Sequence, residues 1–260
     1  SLREMTQALW ARMDMIERFA VDVAHELKNP LTSLRSAAET LGRVEDADKR
    51  ARLLDIITHD IARMDRLISD ISSSSRLDTA LMQEAHERLD LIDVLRDVIT
   101  HYSAAGERAD THIDTAQLRD GIRDEQGRIL RLAGDVQSCY VLANRERLFQ
   151  VFDNLVGNAL SFTSTGRAVV ITLRGTRERV EVIIDDEGPG MPEDMKTRIF
   201  ERFYTQRPDE QGFGDHSGLG LAIVKQIVDN LGGDISAENR YDDNGDIKGA
   251  RFVLALNRIA

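Results

Sequence analysis

A length of 260 residues, with 42% hydrophobic and 30% charged side chains, is typical of a globular protein with one or two domains. The formal net charge of -11 argues against sequence-independent binding of nucleic acid, which needs a basic surface. The single cysteine, Cys139, excludes an intramolecular disulfide and a multi-cysteine zinc site, and we expect it to be a small buried hydrophobic residue. No apolar run approaches the roughly 18 residues of a membrane helix, and no signal peptide is visible.

The first third of the chain is predicted to form a helical hairpin. Apolar residues recur at heptad spacing over residues 1–42, where Gly42 ends the pattern, and again over residues 48–78. Two such helices joined by a short turn make a hairpin. Because an apolar seam on both helices would still be exposed, we expect the hairpin to dimerise into a four-helix bundle.

One stretch of the first helix carries candidate chemistry, because His25 is followed by Glu26, Asn29 and Pro30. In the heptad register His25 lies on the outside of the helix, and Asn29 shares its face. Pro30 cannot donate a hydrogen bond to the carbonyl of Glu26, so we expect the helix to bend or loosen there. Taken alone, the stretch is equally typical of an exposed histidine on a solvated helix.

From about residue 88 helices and strands mix without strict βα alternation. This pattern predicts an α+β layer, with a mostly antiparallel sheet and helices on one face. Asp90 and Asn144 are expected to cap two of the helices. The predicted helices are 92–102, 145–162, 192–200 and 219–231. The predicted strands are 89–91, one near Ile113, 129–132, 140–142, 169–173, 180–184, 235–237 and 251–256.

The helix predicted after Asn144 carries two asparagines, Asn154 and Asn158, four residues apart on one face. Asparagine has a low propensity for the interior of a helix, so two of them at this spacing suggest a functional role. An amide oxygen is a ligand that suits Mg²⁺, which prefers oxygen. The pair alone is also typical of ordinary surface or capping amides, which hydrogen-bond freely.

Two glycine-rich motifs follow. Residues 186–190, Asp-Glu-Gly-Pro-Gly, come directly after a predicted strand. There a carboxylate can accept a hydrogen bond from the exocyclic amine of adenine, and glycines let the backbone approach the ring, although such a motif alone often marks only a turn. Residues 217–221 open a helix whose N-terminus suits phosphate. The polar residues 205–216 between them fit a mobile lid over a nucleotide or a plain loop.

In this order, the motifs resemble those of bacterial two-component sensor histidine kinases. Residues 25–30 match the H box of that family, 154–158 the N box, 186–190 the G1 box, 200–203 the F box and 218–221 the G2 box. The resemblance covers about residues 10–257, and five motifs in the family's order make it specific. The residues around the H box are similar, more weakly, to the ChvG/ExoS-type envelope-sensing kinases.

The resemblance implies a fold and a set of partners. Residues 1–82 would be a dimerisation and histidine phosphotransfer hairpin, forming a dimeric four-helix bundle. Residues 83–260 would be a catalytic ATP-binding domain, an α+β sandwich of the type found in Hsp90, gyrase and MutL. The expected partners are a second copy of the chain and the receiver domain of a response regulator, and no nucleic acid. The chain would be a cytoplasmic fragment, and its parent would be anchored in the bacterial inner membrane by a missing N-terminal region.

The resemblance also implies roles for single residues, with ATP and Mg²⁺ as cofactors. His25 would be the phosphoacceptor and Glu26 its general base. Asn29 would position a water molecule that dephosphorylates the response regulator. Asn158 would bind Mg²⁺. The nucleotide-binding residues would be Asn154, Asn158, Asp186, Gly188, Gly190, Arg202, Gly218, Leu219, Gly220 and Leu221.

The sequence departs from the family pattern at two places. Ser161 stands where the family commonly has a lysine or arginine facing the phosphates, a loss that Arg202 or Arg207 would have to offset. Residues 115–127 look like an insertion between strands. Ser161 leaves open a degenerate kinase that serves as a dimeric scaffold. The Asn, DxGxG and GLGL elements, which are shared more widely, leave open a gyrase- or Hsp90-like ATPase that does not need His25.

Overall fold

The structure, a computed structural model, describes residues 2–44, 46–80, 85–103, 120–133, 138–202, 204 and 218–259, without some of the helical side chains. The described residues group into two compact units. One unit comprises those up to residue 76 and those between 202 and 219, and the other comprises those between 77 and 201 and those from 220 onwards. The domain boundary at residue 82 stays a prediction.

The first unit contains the two predicted helices, α1 (Leu2–Leu41) and α2 (Ala47–Ala80). Helix α1 continues through Pro30. The start of α2 is capped by Asp46, whose Oδ1 accepts hydrogen bonds from the backbone N–H groups of Asp48 and Lys49 at 3.0 and 3.2 Å. A short acidic side chain in that position satisfies amide groups that have no partner within the helix. The predicted helical hairpin is therefore confirmed.

Large apolar side chains of this unit remain exposed within a single chain. Pro30, Ala37 and Leu67 are buried. The exposed ones are Trp10, Met13, Val21, Leu31, Leu54, Ile56, Ile61 and Ile68. Such a surface is typical of helices that associate with a partner. Among the described residues, no helix combines the length and the hydropathy needed to cross a lipid bilayer.

The second unit begins with a small sheet that the sequence analysis did not predict. Strand β1 (Glu87–Asp90) pairs antiparallel with β4 (Tyr140–Ala143). Helix α3 (Leu91–Tyr102) follows β1 directly. Asp90 caps α3 as predicted, because its Oδ1 accepts a hydrogen bond from the backbone N–H of Ile92 at 3.1 Å.

The main sheet has six strands in the order β2-β3-β5-β6-β8-β7. Only β3 and β5 pair in parallel, so the prediction of a mostly antiparallel sheet is confirmed. The strands are β2 (Ile122–Arg123), β3 (Ile129–Ala133), β5 (Ala168–Gly175), β6 (Arg179–Asp185), β7 (Asp234–Tyr241) and β8 (Ile247–Asn257).

Two further helices, α4 (Arg145–Phe162) and α5 (Gly220–Asn230), complete this unit. Asn144 caps α4 as predicted, since its side chain accepts a hydrogen bond from the backbone N–H of Arg147 at 3.2 Å. The core is made of alternate residues of the strands and one stripe of each helix. It includes Val169, Ile171, Leu173, Leu148, Val151, Phe152, Leu155, Ile223 and Ile227. The predicted α+β sandwich is thus confirmed.

Some predictions of local structure were wrong. The helix predicted at residues 192–200 is instead two 3-10 turns, Glu193–Met195 and Arg198–Phe200, held by hydrogen bonds three residues apart such as that from the N–H of Met195 to the carbonyl of Pro192. The strand predicted near Ile113 lies outside the described residues. The prediction that Cys139 is buried is confirmed, because it is only 4% exposed.

Candidate active site

The H box residues lie on the solvated side of α1. His25 and Asn29 are both exposed, as their heptad positions predicted. Glu26 lies in the same helical turn, and its side chain falls outside the described part of the structure. Exposure leaves the imidazole of His25 open to a reactant, and it leaves the amide of Asn29 accessible one turn further along the same face.

Helix α4 presents the N box. Its apolar stripe is fully buried, which turns Asn154 and Asn158 towards the edge of the core, where both are half-buried. Neither amide makes a side-chain hydrogen bond to another described residue. Within the described residues, no group of three or more His, Cys, Asp or Glu side chains is placed to hold a metal ion. A free amide oxygen on α4 nevertheless suits Mg²⁺, which keeps phosphate and water as its other ligands.

Ser161, the departure from the family pattern, is tied to its own helix. Its Oγ donates a hydrogen bond to the carbonyl of Asn158 at 2.7 Å. Thr163 Oγ1 donates likewise to the carbonyl of Ala159 at 2.8 Å. Both hydroxyls therefore bond back to carbonyls near the end of α4, three and four residues earlier in the chain.

Asp186 of the G1 box follows β6 and is 2% exposed. Its Oδ1 accepts hydrogen bonds from the backbone N–H groups of Gly188 at 2.9 Å and Ala250 at 2.8 Å. Burial raises the pKa of this carboxyl, and the two backbone hydrogen bonds oppose that rise. Its other oxygen makes no hydrogen bond to a described residue. A carboxylate anchored through one oxygen leaves the other free to accept from an amine, as recognition of adenine requires.

Two arginines hold the backbone around Asp186. Arg251 forms a bidentate pair with Asp185, with Nε–Oδ1 and Nη2–Oδ2 distances of 2.7 and 2.9 Å. Arg240 Nη1 donates a hydrogen bond to the carbonyl of Asp186 at 2.6 Å. Gly249 has no room for a side chain, because a Cβ there would lie 2.0 Å from the same carbonyl oxygen. Contacts from β7 and β8 therefore hold the backbone carbonyl of Asp186 and the side chain of its neighbour Asp185 in place.

The glycine-rich segments contact α4 directly. A Cβ on Gly188 would lie 2.9 Å from the carbonyl oxygen of Phe162, the last residue of α4. A Cβ on Gly220 would lie 2.8 Å from Oδ1 of Asn154. Leu221 follows Gly220 in α5 and is half-buried. At Gly188 the close neighbour is backbone, so glycine is required there, whereas a side chain at Gly220 would have to displace the amide of Asn154.

The remaining predicted site residues are only partly grouped with these. Arg202, Gly218 and Leu219 belong to the helical unit. Gly218 has a φ of 69°, which favours glycine. Leu219 is fully buried. Phe200 of the F box ends a 3-10 turn, whereas Phe203, Arg207 and the segment 205–216 lie outside the described residues.

One residue of this site was missed by the sequence analysis. Asn239 lies in β7 and is 6% exposed. Its side chain forms two hydrogen bonds with the backbone of Met191, which directly follows the G1 box. Oδ1 accepts from the Met191 N–H at 2.8 Å, and Nδ2 donates to the Met191 carbonyl at 2.7 Å. Gly190, which has a φ of 74°, lies against the same amide. The sequence did contain a signal for this residue. Asn239 is polar, yet it lies with Ile235 and Ala237, at every second position, on the side of the strand that faces the core.

Replacing Asn239 with alanine is expected to loosen the G1 box. The change leaves two backbone groups of Met191 without partners, which costs about 1–3 kcal/mol of folding stability, and we expect nucleotide affinity to fall about tenfold. Titration of the purified variant with ATP, beside a urea unfolding curve, measures both effects. Asn257→Ala is the matched control, because Asn257 is an exposed strand residue. Unchanged affinity in Asn239→Ala would contradict the role of the clamp.

Two family models match the chain. Residues 15–80 match the His Kinase A (phospho-acceptor) domain, and residues 143–258 match the histidine kinase-, DNA gyrase B- and HSP90-like ATPase family. The first match covers the H box, and the second begins at the start of α4 and includes the N, G1, F and G2 boxes. Together they support the resemblance stated from the motifs.

Individual proteins agree. Sensor protein ChvG of Agrobacterium fabrum is 46% identical over 258 residues, which cover 98% of this chain and 41% of that protein. Full-length ShkA, solved in complex with AMPPNP, is 25% identical with a TM-score of 0.57, and the match covers 94% of this chain and 46% of ShkA. ThkA, solved with the response regulator TrrA, has a TM-score of 0.70 at 24% identity, over 95% of this chain and 63% of ThkA, and shows the shared fold. The chain therefore belongs to the sensor histidine kinases and is similar to the ChvG type among them.

Proposed function

We propose that this chain phosphorylates itself on His25 with ATP and then passes the phosphoryl group to an aspartate of a response regulator. The observation that carries the proposal is an exposed histidine on a phosphoacceptor helix, in one chain with an ATPase-type sandwich whose buried Asp186 keeps one oxygen free. The chain spans about two fifths of the length of its ChvG relatives, so the activity of the whole protein is part of the proposal.

The nucleotide would be held by residues of the G1, F and G2 boxes. Asp186 accepts a hydrogen bond from the exocyclic amine of adenine, and Gly188 and Gly190 let the backbone approach the ring. Gly218, Leu219, Gly220 and Leu221 wrap the triphosphate at the start of α5, and Arg202 neutralises phosphate charge. The relation to ShkA, which was solved with AMPPNP, supports a nucleotide at this site. The helix N-terminus adds a favourable electrostatic field for the phosphates.

Asn158 would hold Mg²⁺ through its amide oxygen, with Asn154 beside it. When bound, the ion would draw charge from the phosphate oxygens and so ease loss of the γ-phosphoryl group. The free amide oxygen of Asn158 on α4 supports this assignment. The carboxyl-terminal end of α4 keeps that amide in place through its capped last turn.

His25 would be the nucleophile. A bond forms between one ring nitrogen and the γ-phosphorus while the bond from that phosphorus to the bridging oxygen breaks, and ADP leaves. Glu26 accepts the proton from the other ring nitrogen, which raises the nucleophilicity of the imidazole. When the chain acts as a phosphatase, Asn29 positions a water molecule that attacks the phosphoryl group of the regulator and removes it as phosphate.

The helices would act as a dimer. Their exposed apolar side chains and the match to the phosphoacceptor domain support burial against a second copy of the chain. We further propose that the chain is the cytoplasmic part of a membrane-anchored parent, in keeping with the two fifths of ChvG that it covers.

The first test is incubation of the purified chain with γ-labelled ATP and Mg²⁺, followed by acid treatment. We expect label that is stable in alkali and lost in acid, as a phosphohistidine is. Steady release of labelled phosphate without labelled protein would instead favour a gyrase-like ATPase. Nucleotide binding with neither label nor turnover would favour a scaffold, an alternative that Ser161 keeps open. Addition of a receiver domain should then remove the label from the chain.

A further inference from the structure

The hairpin that joins β2 to β3 reaches the carboxyl-terminal end of α4. Its residues 120–127 are the described part of the segment that the sequence analysis took for an insertion. Arg128, at the end of this hairpin, donates a hydrogen bond from Nη1 to the carbonyl of Leu160 at 2.7 Å. The hairpin therefore supplies a cation to the end of the helix that carries Asn158.

The guanidinium of Arg128 is held rigidly in this position. Its Nε donates to Oδ2 of Asp124 at 2.6 Å, and its Nη2 donates to Oε1 of Gln126 at 2.7 Å. Asp124 is 5% exposed, and its Oδ1 accepts the backbone N–H of Arg128 at 2.8 Å. Each arm of the fork has a partner, so the side chain loses little further entropy when it binds the helix.

The hairpin is also joined to the loop after α4 through the backbone. The N–H of Gly166 donates to the carbonyl of Gly127 at 3.2 Å, and the N–H of Ile129 donates to the carbonyl of Arg167 at 2.9 Å. These two bonds fix the backbone on both sides of Arg128 to the loop that follows α4.

Three carbonyls near the end of α4 accept hydrogen bonds from side chains, and the carbonyl of Leu160 also accepts the N–H of Thr163. Ser161 Oγ donates to Asn158, Thr163 Oγ1 donates to Ala159, and Arg128 donates to Leu160. Only Arg128 among these three donors carries charge, and a cation is most favourable at the negative end of a helix dipole. It is also the only one of the three from outside the helix and its C-cap.

We propose that Arg128 is a positioning residue that holds the last turn of α4, and with it the amide of Asn158, in the geometry that binds Mg²⁺-nucleotide. This inference rests on the proposed function for the role of Asn158. The proposal assigns a role to the hairpin that contains the inserted residues. It also accounts for a positive charge at the end of α4, from Arg128, although position 161 is a serine. A hydroxyl at 161 bonds back to the carbonyl of Asn158, which a lysine or arginine reaching for phosphate would not do.

The test is Arg128→Met in the full chain, compared with Arg131→Met. Arg131 is an exposed residue of the neighbouring strand β3, and no hydrogen bond or ion pair to it is found in the described structure. We expect AMPPNP affinity in the presence of Mg²⁺ to fall about tenfold in Arg128→Met, with affinity in EDTA unchanged. Arg128→Lys, which keeps the charge without the fork, should restore part of the loss.

Hydrogen exchange gives a readout that does not depend on activity. The amide of Thr163 donates to the carbonyl of Leu160, so its exchange should become about tenfold faster in Arg128→Met and stay unchanged in Arg131→Met. Unchanged exchange, or an equal loss of nucleotide affinity with and without Mg²⁺, would overturn the inference. Failure of the wild-type chain to bind Mg²⁺-nucleotide would count against the proposed function, whereas the exchange result still decides whether Arg128 holds the helix end.

Discussion

Replacing His25 with alanine is expected to abolish acid-labile labelling of the chain from γ-labelled ATP. The loss should reach at least about three orders of magnitude, because the variant retains the nucleotide site but lacks the nucleophile. Since His25 is exposed on α1, its truncation should leave the fold and the affinity for nucleotide unchanged. Labelling and nucleotide titration on the same preparation separate the two effects.

His86→Ala is the matched control for this experiment. His86 is also exposed, and it lies between α2 and β1 rather than in a helix, so its loss should leave labelling intact. Acid-labile label that persists in His25→Ala would contradict the role of His25 and would point to another histidine. Loss of label in both variants would show that the effect is not specific to position 25.

A mixture of two inactive variants can show how the subunits cooperate. His25→Ala lacks the acceptor, and Asn158→Ala lacks the proposed Mg²⁺ ligand. Label that returns in mixed dimers would mean that the nucleotide site of one subunit phosphorylates His25 of its partner. Mixed dimers that form and stay unlabelled would mean transfer within one subunit.

Asp186→Asn is expected to lose nucleotide binding without loss of stability. The amide oxygen can keep the two backbone hydrogen bonds that Oδ1 accepts from Gly188 and Ala250. The amide nitrogen would then face the exocyclic amine of adenine, so a donor would meet a donor. We expect affinity for ATP to fall about 100-fold, since a hydrogen bond to a charged group is lost and a polar group is left unpaired.

The pH dependence of stability follows from the raised pKa of Asp186. Because the folded state binds this proton more tightly than the unfolded chain, its contribution to stability is complete at a pH below the ordinary aspartate pKa. That contribution is lost as the pH rises from there through the folded pKa. Once that contribution is lost, burial of the carboxyl no longer favours the folded state, and Asp186→Asn should be at least as stable as the wild type.

Urea unfolding at several pH values, beside ATP titration, checks this prediction. The stability difference in favour of Asp186→Asn should shrink as the pH falls through the carboxyl range. Asp243→Asn, an exposed residue of the β7–β8 turn, should change neither affinity nor stability. A destabilised Asp186→Asn at neutral pH would show that the charge of Asp186, through Arg240, matters more for folding than its burial.

The sequence predicted the elements whose signals are local. Heptad spacing defined the two long helices, and short polar residues before apolar runs identified Asp90 and Asn144 as helix caps, both confirmed. These signals depend on contacts within a few residues, where the spacing of side chains follows directly from helix geometry. The kinase boxes are contiguous for the same reason, so family membership could be stated from the motifs alone.

Local sequence patterns did not predict the structure where it depends on contacts with distant segments of the chain. Residues 192–200 have a helical pattern but form two 3-10 turns, after a segment whose backbone Asn239 grips at Met191. The two-stranded sheet of β1 and β4 joins strands about fifty residues apart. No periodicity within either strand specifies such a partner, because pairing depends on where the rest of the chain brings the two edges together.

The same distinction applies to the candidate site. The sequence by itself identified the residues that we propose to carry the chemistry, His25, Asn158 and Asp186, because a motif records side chains. Only the tertiary structure revealed the long-range contacts beside two of them, namely Asn239 with Met191, 48 residues away along the chain, and Arg128 with Leu160, 32 residues away. These contacts are directional hydrogen bonds between a side chain and a distant backbone group, which only the folded chain brings within about 3 Å of each other, and a linear sequence does not record that proximity.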